Sequence, residues 1–439
     1  METDFSWWQA LTLSSILGWV VTSSLFDLTK LIRARVQPWV TRQVLANTPF
    51  ILRIQKWQHG FFDKFFSVVS CVVSVPFYTG FLPILFWSGH GRLARQMTLL
   101  MAFCDYIGNC IKDVVSAPRP SFPPVRRLTA TSDEKQHAME YGLPSSHALN
   151  TVCLTGYTFY PFSLLNFCLY FIIGSHHLSL VTCHFLCFSS YFLHYVLTSG
   201  GPTDAITTAV LFATLSMLVM LVGIGRIYLG MHSLIDVVAG IVFGLLILAF
   251  WLSVHSQVDN FIISGQNVTS FWTCLSLLLC FAYPTPELPT PSFEFHTAFT
   301  GVAYGVIIGL QQTYNSYNHE NPRIFTPELP LLVFLGRILV GIPTILTVKF
   351  CSKAIAKWLL PVVCNTLGIP IVSSCYVLSL KASENAKDEP KNTGYLQRFF
   401  SLFPQKVYDV DTGIRFVQYA GLAWSVVDVV PTVFGYFSL

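Results

Sequence analysis

Long apolar runs with almost no charge are the feature that most constrains how this chain folds. The stretch from Leu234 to Val254 is typical, because Asp236 is its only charged residue. Charged residues make up 11% of the 439 positions and hydrophobic residues 53%, whereas soluble domains contain about 25% charged residues. So few charges cannot cover a water-facing surface, which excludes a soluble globular enzyme and a disordered chain. The net charge of +4 is too small to indicate a nucleic-acid partner.

The apolar runs have the length of membrane spans, since a helix needs about 20 mostly apolar residues to cross a bilayer. Alternating β-barrel patterns are absent, so the predicted fold is all-α: a polytopic transmembrane bundle with about eight to ten true spans. Phe5–Phe26 is predicted to be a marginal span or an interfacial helix. The candidate spans are Phe65–Trp87, Gln96–Val115, Ala148–Ile173, Leu178–Leu197, Ala205–Val222, Leu234–Val254, Ser270–Tyr283, His296–Leu310, Leu331–Val348, Trp358–Leu378 and Val417–Phe437.

The polar segments divide the chain into three predicted regions. Residues 1–58 hold the marginal span and a basic segment, residues 59–255 a six-helix core, and residues 256–439 further C-terminal spans. The 12 cysteines mostly lie within apolar runs and have no metal-binding spacing, which indicates helix packing rather than a metal site. One glycosylation sequon occurs, Asn267-Val268-Thr269.

Ionisable residues at membrane depth are costly and are therefore candidates for function. Lys112 lies near the end of a span, and Pro118 and Pro120 hold Arg119 in a rigid turn. On their own these residues fit an ordinary basic helix end as well as a phosphate site.

A second group, Pro144-Ser145-Ser146-His147, lies at the mouth of the next span. Either serine suits a helix N-cap, and the free N–H groups there would attract an anion close to His147. An ordinary capped helix with a polar histidine is the alternative interpretation.

A third group runs from Arg226 through His232 to Asp236. The histidine and the aspartate are four residues apart, so they share a face if the segment is helical. The carboxylate could then hold one ring nitrogen and leave the other free as a nucleophile. A polar contact between membrane helices is the competing interpretation.

Together the three groups, K-x6-R-P, P-S-x-H and R-x5-H-x3-D, resemble the signature of the type 2 phosphatidic acid phosphatase superfamily. The flanking segments Asp105–Asp113, Pro123–Val125 and Glu140–His147 resemble its sphingosine-1-phosphate (long-chain base phosphate) phosphatase branch, and the whole chain resembles the plant lipid phosphate phosphatases of the delta type. Two positions differ from the superfamily pattern. Gly225 stands where the superfamily usually has serine, and Ser146 stands where it often has glycine.

The resemblance implies an endoplasmic-reticulum enzyme that removes phosphate from sphingoid-base 1-phosphates without a metal or another cofactor. His232 would attack phosphorus, Asp236 would orient it, and His147 would protonate the leaving alkoxide and later deprotonate water. The predicted phosphate-binding residues are Lys112, Arg119, Ser145, Ser146 and Arg226. The predicted partners are a lipid phosphate and the bilayer; the oligomeric state stays open.

A sphingoid base also carries an ammonium, and Glu140, Asp133 and Asp113 are carboxylates near the site that could meet it. Three alternatives remain open: a broad-specificity phosphatidate phosphatase, a catalytically inactive member, and a multi-span transporter. The filled signature argues against an inactive member. The absence of repeats between the two halves argues against a transporter.

Two topological expectations complete the analysis. His147 and His232 must face one side of the membrane, yet hydropathy offers three crossings between them, so residues 157–190 are predicted to be an inserted re-entrant or peripheral hairpin. The basic segment Asp27–Lys64 is expected on the active-site side, where the positive-inside rule indicates the cytosol. The resemblance indicates the lumen, which is the orientation we expect.

Overall fold

The computed structural model describes residues 6–71, 75–129, 135, 138–157, 205–288, 290–316, 330–367, 369, 371–373 and 408–439. Helices dominate the described chain, as expected, and a two-residue parallel strand pair joins β1 (Ile371–Val372) to β2 (Tyr408–Asp409). The helices are α1 (Trp7–Leu25), α2 (Leu28–Ala46), α3 (Thr48–Gln55), α4 (Gly60–Cys71), α5 (Val75–Trp87), α6 (Gly91–Val115), α7 (Ser146–Tyr157), α8 (Ala205–Tyr228), α9 (Leu234–Ser264), α10 (Val268–Ala282), α11 (Ser292–Ser316), α12 (Leu331–Thr366), α13 (Val410–Trp424) and α14 (Val430–Phe437).

Four described helical segments are long and apolar enough to cross a membrane: Leu234–Ser264, Ser292–Thr313, Leu332–Thr366 and Val410–Phe437. The last includes a π-helical turn between α13 and α14. Helices α1 to α3 pass the same test as one pair bent by 70°. The protein is thus an α-helical membrane protein. The remaining crossings in the predicted total of eight to ten stay a prediction, and residues 158–190 of the predicted insertion lie outside the described residues.

One prediction about the spans is wrong. Leu331–Val348 and Trp358–Leu378 were expected to be separate crossings, but α12 continues without a break from Leu331 to Thr366. Lysines interrupt the apolar run at Lys349, Lys353 and Lys357. Their spacing of four keeps them on one helix face, so hydropathy falls while the helix continues. The Lys349 ammonium lies 4.6 Å from the ring centroid of Tyr419 in α13.

Helix α12 also exposes large apolar side chains, as expected of a surface that contacts lipid. They include Leu332, Leu335, Leu339, Phe350 and Trp358. The C-terminal helices nevertheless share the hydrophobic core of the rest of the bundle. Trp87 is fully buried, and its Nε1 donates to the Val426 carbonyl at 3.1 Å. The division at residue 255 therefore does not separate two hydrophobic cores.

The bundle has two ends, which we name by α6 and α9. At the upper end α6 finishes and α9 begins; at the lower end α6 begins and α9 finishes. Arg95 of α6 donates to Asp259 of α9 at the lower end, at 2.5–2.7 Å. Arg33 of α2 donates to the carbonyls of Asp113 and Val114 at the upper end. The basic segment therefore packs at the upper end, where the three sequence motifs also meet.

Candidate active site

The short loop from Leu229 to Ser233 joins α8 to α9 and carries His232. Its turn needs a glycine, because Gly230 has φ +71° and a Cβ there would lie 2.1 Å from the Arg126 carbonyl oxygen. The Leu128 N–H donates to the Leu229 carbonyl at 2.9 Å. Gln55 of α3 donates to the Arg126 carbonyl at 2.6 Å and to the Tyr228 carbonyl at 3.0 Å. These bonds fix the His232 loop against the loop that follows Arg119.

The His232 ring is held with one nitrogen bonded to the backbone. Nδ1 lies 3.0 Å from the Gly142 carbonyl oxygen, so Nδ1 carries the proton and donates it. Nε2 then has a lone pair, and it faces the Arg119 guanidinium at 3.1 Å. Burial, followed by the positive charges of Arg119, Arg226 and Lys112, lowers the pKa of His232 well below its usual value. The ring is therefore neutral, as a nitrogen nucleophile requires.

Asp236 does not hydrogen-bond to the His232 ring in this structure, which corrects the expected contact. Its Oδ2 lies 3.8 Å from Nδ1 and instead accepts the Ser233 N–H at 2.7 Å. The physical reason is position, because Asp236 lies in the first turn of α9, where backbone N–H groups need acceptors. Gly142, which sequence reasoning missed, supplies the ring's partner. Asp236 remains beside the ring as a buried negative charge.

Gly142 can take this place only because it lacks a side chain. A Cβ there would lie 3.1 Å from Asp236 Oδ2 and 3.1 Å from the Pro118 carbonyl oxygen. Its own N–H donates to the Ala117 carbonyl at 3.0 Å. The glycine peptide is thus wedged between α9 and the end of α6, with its carbonyl directed at His232.

Arg119 lies at the centre of the site. Its Nε donates to the Glu140 backbone carbonyl at 2.8 Å, and its Nη1 donates to the Met231 carbonyl at 2.6 Å and faces His232 Nε2. Burial, partly offset by Glu140, lowers the pKa of Arg119 to about 10, with Arg226 also contributing. The guanidinium therefore stays charged at neutral pH and touches the predicted nucleophile.

Two further buried cations complete the charge of the site. Lys112 of α6 bonds to the Glu140 carboxylate. Arg226 of α8 is 1% exposed, and its Nη1 donates to the Ser70 hydroxyl at 3.2 Å. Both cations are close enough to His232 to affect its pKa. Ser70 in α4 is a second residue that sequence reasoning missed.

The start of α7 brings the second motif to the same place. The Ser145 N–H donates to the Asp236 carbonyl at 2.9 Å, so this amide is not available to a phosphate, contrary to the expectation for this N–H group. The fully buried Ser145 hydroxyl has no partner among the described residues. Ser146, half-buried, begins the helix, and His147, 8% exposed, lies near enough to His232 to lower its pKa.

Close packing of α9 on α7 sets the distance between the two histidine motifs. A Cβ on Gly240 would lie 2.7 Å from the Ser145 carbonyl oxygen, and one on Gly244 would lie 2.9 Å from the Leu149 carbonyl oxygen. Glycines at these positions let the two backbones approach in the manner of membrane helix pairs.

A local contact explains why position 225 holds glycine where the superfamily usually has serine. A Cβ at this position would lie 2.8 Å from Cδ1 of Phe66 in α4. Phe66 therefore occupies the space that a serine side chain would need. The same helix supplies Ser70, whose hydroxyl contacts the neighbouring Arg226.

The arrangement thus combines a neutral imidazole, three converging cations and a second histidine in a buried site. Such cations neutralise a phosphate monoester dianion before attack.

Comparison with known proteins decides the family. A PAP2 superfamily profile matches residues 93–259, and the chain is 58% identical to lipid phosphate phosphatase delta of Arabidopsis thaliana over 436 residues, covering 98% of this chain and 97% of the relative.

The chain belongs to the PAP2 superfamily. As a PAP2 protein with a phosphatase relative at this identity, it is a membrane lipid phosphate phosphatase, that is, a phosphoric monoester hydrolase. More distant relatives include a dihydrosphingosine 1-phosphate phosphatase of Schizosaccharomyces pombe, 25% identical over 92% of this chain and 91% of the relative. Sphingosine-1-phosphate phosphatase 2 of Mus musculus is also 25% identical, over 66% of this chain and 72% of that protein. No solved structure matches the chain.

The PAP2 match spans every predicted site residue from Lys112 to Asp236. The structure brings all eight of them to the upper end of the bundle. Gly142, Ser70 and Gln55 were missed because a backbone carbonyl, a common hydroxyl and a surface-type amide give no signal in the sequence. Only the spacing of the elements in three dimensions identifies them.

Proposed function

We propose that this phosphatase hydrolyses sphingoid long-chain base 1-phosphates through a phosphohistidine on His232. The observation that carries the mechanism is the His232 ring, with Nδ1 donating to Gly142 and the Nε2 lone pair beside Arg119. A neutral imidazole held in this tautomer directs its lone pair towards the place where Lys112, Arg119 and Arg226 would bind the phosphate.

The proposed reaction has two steps. His232 Nε2 attacks phosphorus, the bond from phosphorus to the lipid oxygen breaks, and protonated His147 gives its proton to the leaving alkoxide. His147 then removes a proton from water, the hydroxide attacks phosphorus, and the phosphorus–nitrogen bond breaks to release inorganic phosphate. Lys112, Arg119 and Arg226 stabilise the charge on the equatorial oxygens in both steps. The charge of Asp236 stabilises the ring while it carries the phosphoryl group.

The proposed reaction needs no metal ion, because the cations of the chain supply the charge that a metal would otherwise provide. Purified protein assayed with EDTA tests this directly. Release of inorganic phosphate that continues unchanged in EDTA supports the proposal, and activity that disappears and returns with a divalent cation refutes it.

The preference for sphingoid bases is supported by the distant relatives and by the resemblance of the segments Asp105–Asp113, Pro123–Val125 and Glu140–His147 to the long-chain base phosphate phosphatases. The relative with the higher identity is named only as a lipid phosphate phosphatase, which favours broad specificity. Hydrolysis of sphinganine 1-phosphate and of phosphatidate, measured in the same detergent micelles, distinguishes a sphingoid-specific enzyme from a broad-specificity one. A clearly higher kcat/KM on the sphingoid substrate supports the proposal, and equal values or a preference for phosphatidate establish the broad enzyme.

We further propose that the protein resides in the endoplasmic reticulum with its upper end in the lumen, as the family resemblance indicates. The charge distribution favours the opposite orientation, because the basic helix α2 lies at the upper end. The sequon offers a test within the chain. Asn267 follows α9, whose first turn is in the active site and whose far end is at the lower end.

A lumenal active site therefore puts Asn267 in the cytosol, where it stays unglycosylated, whereas a glycosylation tag inserted near Thr131 is modified. A shift in gel mobility after endoglycosidase treatment shows whether Asn267 and the inserted tag carry glycans. A glycan on Asn267 together with an unmodified tag would overturn the lumenal orientation.

A further inference from the structure

Glu140 places a buried carboxylate inside the cluster of phosphate-binding cations. Its side chain is 1% exposed, and its carboxylate bonds to the Lys112 ammonium. A second cation is near, because Arg119 Nη2 lies 3.9 Å from Glu140 Oε2. Lys112 and Arg119 are two of the three cations assigned to the phosphate.

This position is unfavourable for a substrate that carries only a phosphate. A fixed negative charge in a buried site repels an incoming dianion strongly, since electrostatic interactions strengthen away from water. It also neutralises Lys112, one of the groups that should bind the phosphate. A buried carboxylate therefore weakens binding of a simple phosphate lipid unless the ligand brings a compensating positive charge.

The other carboxylates considered for this role have different partners. Asp113 accepts from the Tyr283 hydroxyl at 2.6 Å and from the Thr290 hydroxyl at 3.1 Å. Asp236 accepts the Ser233 N–H beside His232. Asp133 lies outside the described residues. Of the described carboxylates, Glu140 contacts two of the phosphate-binding cations.

We propose that Glu140 is the subsite for the ammonium of an amino-lipid phosphate, an inference that rests on the proposed sphingoid-base activity. When the substrate binds, Lys112 turns to the phosphate and the substrate ammonium takes its place on the Glu140 carboxylate. The carboxylate thus exchanges one cationic partner for another and never stays unpaired. In a sphingoid base the amine carbon is bonded to the carbon that bears the phosphate oxygen, so both groups enter the same site.

The test compares sphinganine 1-phosphate with its N-acetyl derivative, which has the same chain and phosphate but no ammonium. The wild-type protein should prefer the free amine in kcat/KM. Glu140→Gln keeps the size and a hydrogen-bonding group but removes the charge. It should reduce that preference by about 10- to 100-fold, the range of a charge-assisted hydrogen bond. Its kcat/KM on the N-acetyl substrate should stay equal or rise, because repulsion of the phosphate is relieved.

A matched control is Glu287→Gln, the same chemical change at a carboxylate that bonds to Gln37 near the upper end but outside the site; it should leave the preference unchanged. A second arm uses the wild-type protein alone, so it does not depend on the folding of a variant. Raising the pH through the pKa of the substrate amine should abolish the preference for the free amine. Glu140→Asp should retain part of that preference.

Equal losses on both substrates in Glu140→Gln would show that Glu140 only holds Lys112, and would overturn the proposal. A wild-type protein that hydrolyses both substrates equally well at neutral pH would also overturn it. A different result would overturn the proposed function itself: the wild-type protein would fail to cleave sphinganine 1-phosphate, or would cleave phosphatidate better.

Discussion

Replacing Gly142 with alanine tests whether a backbone carbonyl orients the nucleophile. The added Cβ would lie 3.1 Å from both Asp236 Oδ2 and the Pro118 carbonyl oxygen. Neither neighbour can move freely, because the Asp236 carboxylate is held by the Ser233 N–H and the Pro118 carbonyl is a backbone group. The Gly142 peptide itself must therefore shift by a few tenths of an ångström, and its carbonyl moves away from His232 Nδ1.

The expected cost has two parts. Crowding in a packed interior lowers the free energy of unfolding by about 1–3 kcal/mol. Misorientation of the imidazole reduces the rate further. A misplacement of about 1 Å in an active site costs about 100-fold, so a shift of a few tenths of an ångström should lower turnover by about 3- to 10-fold. KM should change much less than kcat, since the phosphate-binding cations are untouched.

The assay is rapid-quench formation of the phosphoenzyme from radiolabelled substrate, together with the thermal unfolding midpoint. Gly80→Ala is the matched control, because a Cβ at Gly80 in α5 meets no atom within 4 Å, and it should leave the rate unchanged. A folded Gly142→Ala protein that forms phosphoenzyme within twofold of the wild-type rate would refute the assignment of Gly142 as the orienting group.

The remaining predictions concern the nucleophile, its acid and the third cation. His232→Ala should abolish turnover and phosphoenzyme labelling, whereas His147→Ala should still label with a good leaving group but be slow on the natural lipid; normal lipid turnover by His232→Ala would exclude the phosphohistidine. Arg226→Lys should lower kcat/KM by about 100-fold, because an ammonium cannot replace a planar guanidinium on phosphate, and Ser70→Ala should lower it several-fold through loss of the bond to Arg226; a Ser70→Ala protein of unchanged kcat/KM would assign that hydroxyl no role. Gly225→Ser should reduce the unfolding temperature rather than improve activity, and adding Phe66→Ala should partly restore it; additive losses would disprove the proposed clash. The folded-state pKa of His232 lies well below its unfolded value, so the unfolded chain takes up the proton first as the pH falls. The stability contributed by this group is therefore full above about pH 6.5 and declines as the pH falls from there towards the folded pKa. The acid limb of kcat/KM due to His232 should lie below about pH 6.5, and a limb at the usual histidine pKa would contradict the buried neutral ring.

The boundaries of the helices show where sequence reasoning succeeds and where it fails. Leu234–Val254 was predicted as a span, and α9 contains it, because continuous apolar composition is a local property. The separate span Trp358–Leu378 was wrong, because a hydropathy window averages the lysines of α12 with their apolar neighbours. Their shared helix face appears only once the backbone is helical.

The sequence by itself determined that the chain is a membrane-embedded helical bundle with a three-part phosphatase signature. Both conclusions follow from local information: too few charges to cover a soluble surface, and ionisable residues at fixed short spacings. Lys112, Arg119, His147, Arg226, His232 and Asp236 could therefore be named in advance.

Only the tertiary structure decided which groups hold these residues in place. Gly142 lies 90 residues from His232 in the chain, and Ser70 lies 156 residues from Arg226. Gly142 acts through its backbone carbonyl, which every residue possesses, and Asp236 is drawn away from the imidazole by an N–H group at the start of its own helix. Such partners are chosen by distance and direction in the packed bundle, and residue type alone cannot specify them.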